Sequence, residues 1–220
     1  MDGCDNCPTV ANPTQSDTTE STGPDGVGDA CDPHPATRDH IQIFESFATA
    51  PFDWRYASVA TTGGDALLVT GAGARNTALA PLSLAIAEGV VVTRATVSNV
   101  RAGSFHSVEL LAQYREQTGL DGYRCTTLGG GVDSRHTGIQ TFGSPLDVVF
   151  STIFKADLSV GETVELRFAF GPTSLTCSTT NPSDSVTAAA PEVRTGTVGF
   201  NVQSLDVSFA YVIVYVPDGP

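Results

Sequence analysis

Beyond residue 37 the chain alternates apolar and polar residues with a period of two, the mark of half-buried strands. In Glu162–Gly171, Val164, Leu166, Phe168 and Phe170 fall on one side, with Glu165 and Arg167 on the other. Val91, Ala95 and Val97 alternate with Arg94, Thr96 and Ser98; Val148, Phe150 and Phe154 alternate with Val149, Ser151 and Lys155. His106, Val108, Leu110, Ala112 and Tyr114 share a side opposite Ser107, Glu109 and Gln113. In Ser204–Pro217, Leu205, Val207, Phe209 and Tyr211 oppose Asp206 and Ser208. That run then turns apolar on both sides at Val212-Ile213-Val214, as a strand covered on both faces does.

Turn signals separate these runs: Thr62-Gly63-Gly64-Asp65, Gly71-Ala72-Gly73, Glu88-Gly89, Asp121-Gly122, Gly129-Gly130-Gly131, Gly143-Ser144-Pro145 and Gly171-Pro172. Residues 78–87 alone could carry a helical pattern, and Pro81 within them argues against a long helix. About a dozen short strands with such spacing predict an all-β fold, an antiparallel two-sheet β-sandwich of jelly-roll type over residues 37–220. The Pro-rich joint Asp32-Pro33-His34-Pro35-Ala36 sets off residues 1–36 as a separate N-terminal extension.

Charge sharpens that division. Of a net −13, the first 40 residues contribute eight acids against one base, Arg38. The only lysine is Lys155, so the clustered cations that nucleic acid demands are missing. No apolar run reaches membrane-spanning length, and Met1-Asp2 does not open a signal peptide.

The extension has almost no apolar side chains and cannot order itself around a core, so it needs cross-links and bound hard cations. Calcium takes six to eight oxygens from carboxylates and carbonyls, and a neighbouring glycine permits the sharp turn that brings them together. Asp25-Gly26-Val27-Gly28-Asp29 supplies that chemistry, with Asp32, Asp17 and Asp5 as further candidate ligands. The spacing Cys7-Pro8, Asn12-Pro13-x-Gln15-x-Asp17 and Asp25-Gly26-x-Gly28-Asp29-x-Cys31-Asp32 resembles the thrombospondin type 3 repeat, an extracellular calcium-binding unit. The resemblance implies calcium as the bound ion and a Cys7–Cys31 disulfide that contributes roughly 3 kcal/mol. It also makes Cys4 the closing cysteine of a preceding repeat, so that further repeats lie upstream of Met1. Residues 18–24 interrupt the family's run of aspartates, and its middle aspartate is missing. Glu20 could replace it, but the register is lost, which predicts at least one weakened or absent ion site.

Cys125 and Cys177 each lie in a β-like stretch, and a bridge between neighbouring strands is expected of them, with two buried free thiols as the alternative. Cys4-x-x-Cys7 has no second Cys or His pair at a zinc-binding interval. Disulfides place the protein in an oxidising compartment, secreted or at the cell surface. The markers Phe44-Glu45-x-Phe47 leading to Phe52-Asp53-Trp54, Tyr123-Arg124-Cys125 and Gly196-x-x-Gly199-Phe200 resemble the laminin-G-like, concanavalin-type jelly roll. That resemblance implies recognition or adhesion, with a glycan or an extracellular protein as partner.

Catalytic chemistry is not visible. Glycoside hydrolysis needs two facing carboxylates. Glu162 and Glu165 point to opposite sides of one strand, and Glu109 is isolated. There is no Gly-x-Ser-x-Gly elbow, and Asp133-Ser134-Arg135-His136 are sequence neighbours that cannot reach triad geometry. The four histidines are dispersed. A sugar site needs only an aromatic platform and a few polar groups, for which Trp54, Tyr114, Tyr123 and Arg124 are candidates. Trp54 and Tyr123 read first as packing residues and only second as ligand contacts. The sequence therefore predicts an extracellular calcium-binding recognition module that is not an enzyme. Two alternatives are a polysaccharide-active hydrolase or lyase whose acids converge only in the fold, and a structural spacer.

Overall fold

The computed structural model describes residues 5–20, 22–49, 54–56, 60–71, 75–80, 84–115, 121–130, 135–142, 148–151, 156–181, 183–190 and 194–219. Its strands are β1 (Asp39–Glu45), β2 (Arg55–Tyr56), β3 (Ala60–Thr62), β4 (Leu67–Thr70), β5 (Arg75–Leu79), β6 (Gly89–Val100), β7 (His106–Arg115) and β8 (Asp121–Gly129). They continue with β9 (His136–Phe142), β10 (Val148–Phe150), β11 (Thr163–Phe170), β12 (Ser174–Thr180), β13 (Ser183–Ala189), β14 (Thr197–Gln203) and β15 (Leu205–Pro217). Among the described residues no helix is long and apolar enough to cross a membrane.

Two antiparallel sheets face each other. The first runs β13-β12-β11-β6-β15-β4-β3, with β1 also paired to β15; the second runs β10-β9-β8-β7-β14-β5-β2. Strand β15 holds β6 along one edge and divides the other between β4, at Asp206–Phe209, and β1, at Val212–Pro217. Between the sheets, Val91, Val97, Leu166, Phe168, Val207 and Phe209 meet Val108, Leu110, Ile139, Phe200 and Val202 in one core. Each such side chain contributes about 1.5–3 kcal/mol by leaving water. In β11 the alternation holds without a break, with Val164, Leu166, Phe168 and Phe170 all buried.

Elsewhere the alternation breaks, and two side chains change sides. Gln113 has a φ of 51° and β7 shifts register between Ala112 and Arg115, so Tyr114 packs with Leu79 and Leu111 on the outer face of the second sheet. In β15 a shift between Phe209 and Tyr211 moves Tyr211 to the outer face of the first sheet, beside Ile213 and Tyr215. A one-residue bulge sends every later side chain to the opposite face. The helical reading of residues 78–87 fails as well: Ala78 and Leu79 belong to β5, and Ile86 forms a bridge to Gly196. Phe154 and Lys155 lie outside the described residues, as do Cys4 and Asp133-Ser134.

Cys125 and Cys177 are bonded, but not as the expected link between neighbouring strands. Cys125 belongs to β8 of the second sheet and Cys177 to β12 of the first, with Cα atoms 5.1 Å apart. Both point inward, so the bridge crosses the core and ties one sheet to the other.

The acidic segment before Asp39 is docked on the outer face of the first sheet. Val27 and Cys31 pack on Val90, Tyr211, Ile213 and Tyr215, with Ile41, Phe44 and Val92 alongside. This accounts for the doubly apolar run near the end of the chain: Val212 and Val214 face the core, and Ile213 faces the segment. Cys7 and Cys31 form a disulfide with Cα atoms 5.6 Å apart. Two glycines make the turn around it. Gly26 has φ +96°, and a Cβ on Gly28 would sit 2.4 Å from Asn6 Oδ1.

Candidate functional site

Two places gather chemistry, one on each outer face of the sandwich. The first is the acidic segment. The side chain of Gln15 holds its entry together: its Oε1 accepts from Asn6 N at 2.9 Å, while its Nε2 donates to Asn12 O at 2.9 Å and to Asp5 Oδ1 at 3.2 Å. Asp17 accepts the N–H groups of Gly26 at 2.8 Å and Asp25 at 3.3 Å. Asp29 accepts from Ser16 Oγ at 2.5 Å, Thr18 N at 2.8 Å and both polar groups of Thr19. These donors, the Ser16 hydroxyl foremost, hold the Asp29 carboxyl down to about 2. The residues after Asp17 thus fold over Asp29 and carry Glu20 back toward it. Asp17, Glu20 and Asp29 each offer an oxygen, all within 4.8 Å of one another, and Glu20 Oε2 is buried without a partner.

Deeper in the junction, burial pushes the Asp32 carboxyl up to about 6, although it accepts the N–H of His34 at 2.7 Å. Asp25 Oδ1 accepts from Val27 N at 2.8 Å, and its Oδ2 from Asp39 N at 2.5 Å. Of the predicted ligands, Asp17 and Asp29 come together with Glu20, Asp25 and Asp32 lie toward the sandwich, and Asp5 is engaged by Gln15 and Cys7 N. Asp39, counted by the sequence with the sandwich, stands at this junction as its first strand residue.

The second place is the outer face of the second sheet. Side chains there come from β7, β8, β9 and β14, at positions alternating with the core residues. Glu109 is 1% exposed; its Oε2 accepts from Asn201 Nδ2 at 2.8 Å and Arg124 Nη1 at 3.2 Å, and its Oε1 from Ser107 Oγ at 2.9 Å. Register explains the grouping: Glu109 lies opposite Asn201 on one neighbour and Thr126 on the other, while Arg124 lies opposite Gln140. Thr126 Oγ1 and Gln140 Oε1 are buried without hydrogen-bond partners. Leaving such an atom unsatisfied costs about 1–3 kcal/mol, so each invites a ligand group. Leu79, Leu111 and Tyr114 adjoin this polar centre, and His136 packs against Phe150 with ring centroids 4.4 Å apart on its other side.

The four residues proposed for ligand contact divide between the two faces of the sheet. Trp54 is in the core, 5.7 Å from the Phe47 ring and stacked on Phe200 at 5.9 Å. Tyr123 is fully buried in the same core, with the Arg194 guanidinium 5.0 Å from its ring centroid. Neither ring is presented to solvent. Tyr114 and Arg124 are on the outer face, one in the apolar cluster and the other paired with Glu109. Sequence reading set Glu109 aside as isolated and passed over Asn201, Thr126 and Gln140. Their only signal was polarity at alternate positions of strands, which ordinarily marks a solvated face.

No family model matches the chain, and no curated protein does. Solved structures are similar. The carbohydrate-binding module CBM66 from Bacillus subtilis superposes with a TM-score of 0.58 at 12% identity, over 73% of this chain and 93% of that one. SCLam, a non-specific endo-β-1,3(4)-glucanase of family GH16, gives 0.58 at 11%, over 82% and 92%. The exoplasmic/lumenal domain of VIP36, in a form bound to Ca2+ and Man3GlcNAc, gives 0.57 at 8%, over 82% and 92%. At these identities the likeness is one of fold, and it establishes the jelly-roll sandwich.

Proposed function

We propose that this protein is an exported glycan-recognition module, with the saccharide received on the outer face of the second sheet. The observation that carries this reading is the buried polar cluster of Glu109, Arg124, Asn201 and Ser107, with the unpartnered atoms of Thr126 and Gln140 beside it. A sugar hydroxyl is both donor and acceptor and can satisfy such atoms. A carbohydrate-binding module and a lectin domain share the fold. Recognition is favoured over hydrolysis by the carboxylate inventory: strands β5, β7, β8, β9 and β14 carry Glu109 and, at the sheet's end, Asp121. Asp121 is held by Arg115 and Arg194, so among the described residues these strands bring one carboxylate, Glu109, to the centre of the face where glycosidase chemistry needs two.

In the same reading the acidic segment is a partial type 3 repeat that holds calcium on Asp17, Glu20 and Asp29. Three carboxylates this close repel one another, and a hard cation reverses that repulsion. A glycan array, followed by calorimetry with any saccharide that binds, tests the first part. Glu109→Gln and Asn201→Ala are expected to lose binding at an unchanged fold; retained binding in both would remove the outer face as the site. Calorimetric titration of calcium into the chain, with Asp29→Asn as control, tests the second.

A further inference from the structure

Away from both places described above, a cavity of about 480 Å³ opens at the end of β15, lined by residues 84–88, by Gln42 of β1 and by residues 216–219. Its size is that of an ordinary ligand site. Leu84, Ile86, Val216 and Pro217 make much of the lining apolar, and Glu88 and Asp218 bring two carboxylates to it.

The lining is held in place from behind. Ile86 N donates to Gly196 O at 3.0 Å, and Ile86 O accepts from Gly196 N at 3.2 Å. Ala87 O accepts from Gln113 Nε2 at 2.5 Å. Gln113 is fully buried with a φ of 51°, a left-handed backbone that a residue other than glycine adopts only at a cost. The strained position is thus the one whose amide pins the cavity. Across from it, Asp218 N donates to Arg38 O at 2.7 Å. A lining already fixed spares an incoming group the cost of ordering it.

The two carboxylates differ. Asp218 is shared between His40 Nδ1 at 2.9 Å and Arg38 Nε at 3.5 Å. Glu88 is exposed and has no ion-pair partner among the described residues. The cavity therefore joins apolar walls to one carboxylate without a counter-charge, the complement of a cation on an aliphatic stem. The net charge of −13 favours the approach of a basic partner.

We propose that this cavity receives a lysine or arginine side chain from an extended segment of a partner protein, its stem against Leu84, Ile86 and Val216 and its head at Glu88. The space exceeds one such side chain, and apolar neighbours in the same segment fill the rest. The site is independent of the saccharide and calcium readings.

The probes are n-butylamine and two acetylated, amidated pentapeptides, Ala-Leu-Lys-Leu-Ala and its counterpart with norleucine for lysine. Each is titrated into the full chain and followed by amide NMR shifts. The lysine peptide is expected to bind about tenfold more tightly than the norleucine peptide, the worth of one charge-assisted contact. Its shifts should centre on residues 84–88 and 216–219. Glu88→Gln should erase that advantage. Ala85→Trp, at an exposed lining position, should fill the cavity and exclude both peptides. The proposal is overturned if wild type binds neither peptide or both equally, or if the lysine peptide still binds the Ala85→Trp chain. An advantage that survives Glu88→Gln overturns it too. Butylamine binding as tight as the lysine peptide would make the occupant a free amine and overturn the partner segment.

Discussion

On the outside of the first sheet, Val90, Ile213 and Tyr215 meet Val27 and Cys31 of the acidic segment. On the outside of the second, Glu109, Arg124 and Asn201 meet one another. Both faces are buried, yet burial has different physical content on each. Apolar contact stabilises in proportion to the area removed from water. A buried ion pair with orphaned neighbours gains little, because the desolvation of its charges offsets their attraction. The first face thus explains why the segment stays attached. The second calls for a reason beyond stability, and the proposed ligand recognition would supply it.

Breaking the polar face should give the largest effect. Glu109→Ala removes the buried carboxylate to which Arg124 Nη1 donates and should cost about 3–5 kcal/mol in urea denaturation. The double variant Glu109→Leu/Arg124→Met should recover most of that loss and abolish saccharide binding; a double variant as unstable as the single would make the cluster a structural one. Next come the two disulfides. Replacing Cys125 and Cys177 together by Ala should cost roughly 4 kcal/mol and lower the melt of the whole sandwich. Replacing Cys7 and Cys31 by Ala should cost roughly 3 kcal/mol and loosen the segment while the sandwich transition persists. Val27→Ala trims the contact on the apolar face and should cost about 1–2 kcal/mol by the same denaturation assay.

The smallest effect is one of pH. Burial lowers the pKa of His136 from the ordinary 6.5, the fold thereby favouring its neutral form. Its contribution to stability is therefore complete above about 6.5 and declines as the pH falls below that value. An NMR titration of the His136 ring should show a midpoint below 6.5. A midpoint above it would mean that the Asp184 charge outweighs burial.

Much of this molecule was legible before folding. The period-two runs of β6, β11 and β15 specify a sandwich because one face of each must meet a core. The segment's cysteines and glycines are close enough in sequence to act locally. Tyr114 and Tyr211 could not be placed, because bulges at Gln113 and Ala210 reverse the alternation and depend on the partner strands. The Cys125–Cys177 bridge was misread for a related reason: strand composition does not say which sheet a strand joins. Glu109 looked isolated because its partners Arg124 and Asn201 belong to other strands, and only register brings them alongside. Asp39 was hidden by the domain boundary drawn at residue 36, which separated it from the acids it joins.

The pairing of β1 with β15 sets Asp39 opposite Pro217, and Asp218 N donates to Arg38 O at 2.7 Å. The sandwich is therefore entered and left at the same corner. Tension applied through those two points would pull the strands apart like a zipper, one rung after another, instead of shearing many rungs at once. Such a corner yields at low force, and the sulfur bridge between the sheets then limits how far the chain pays out.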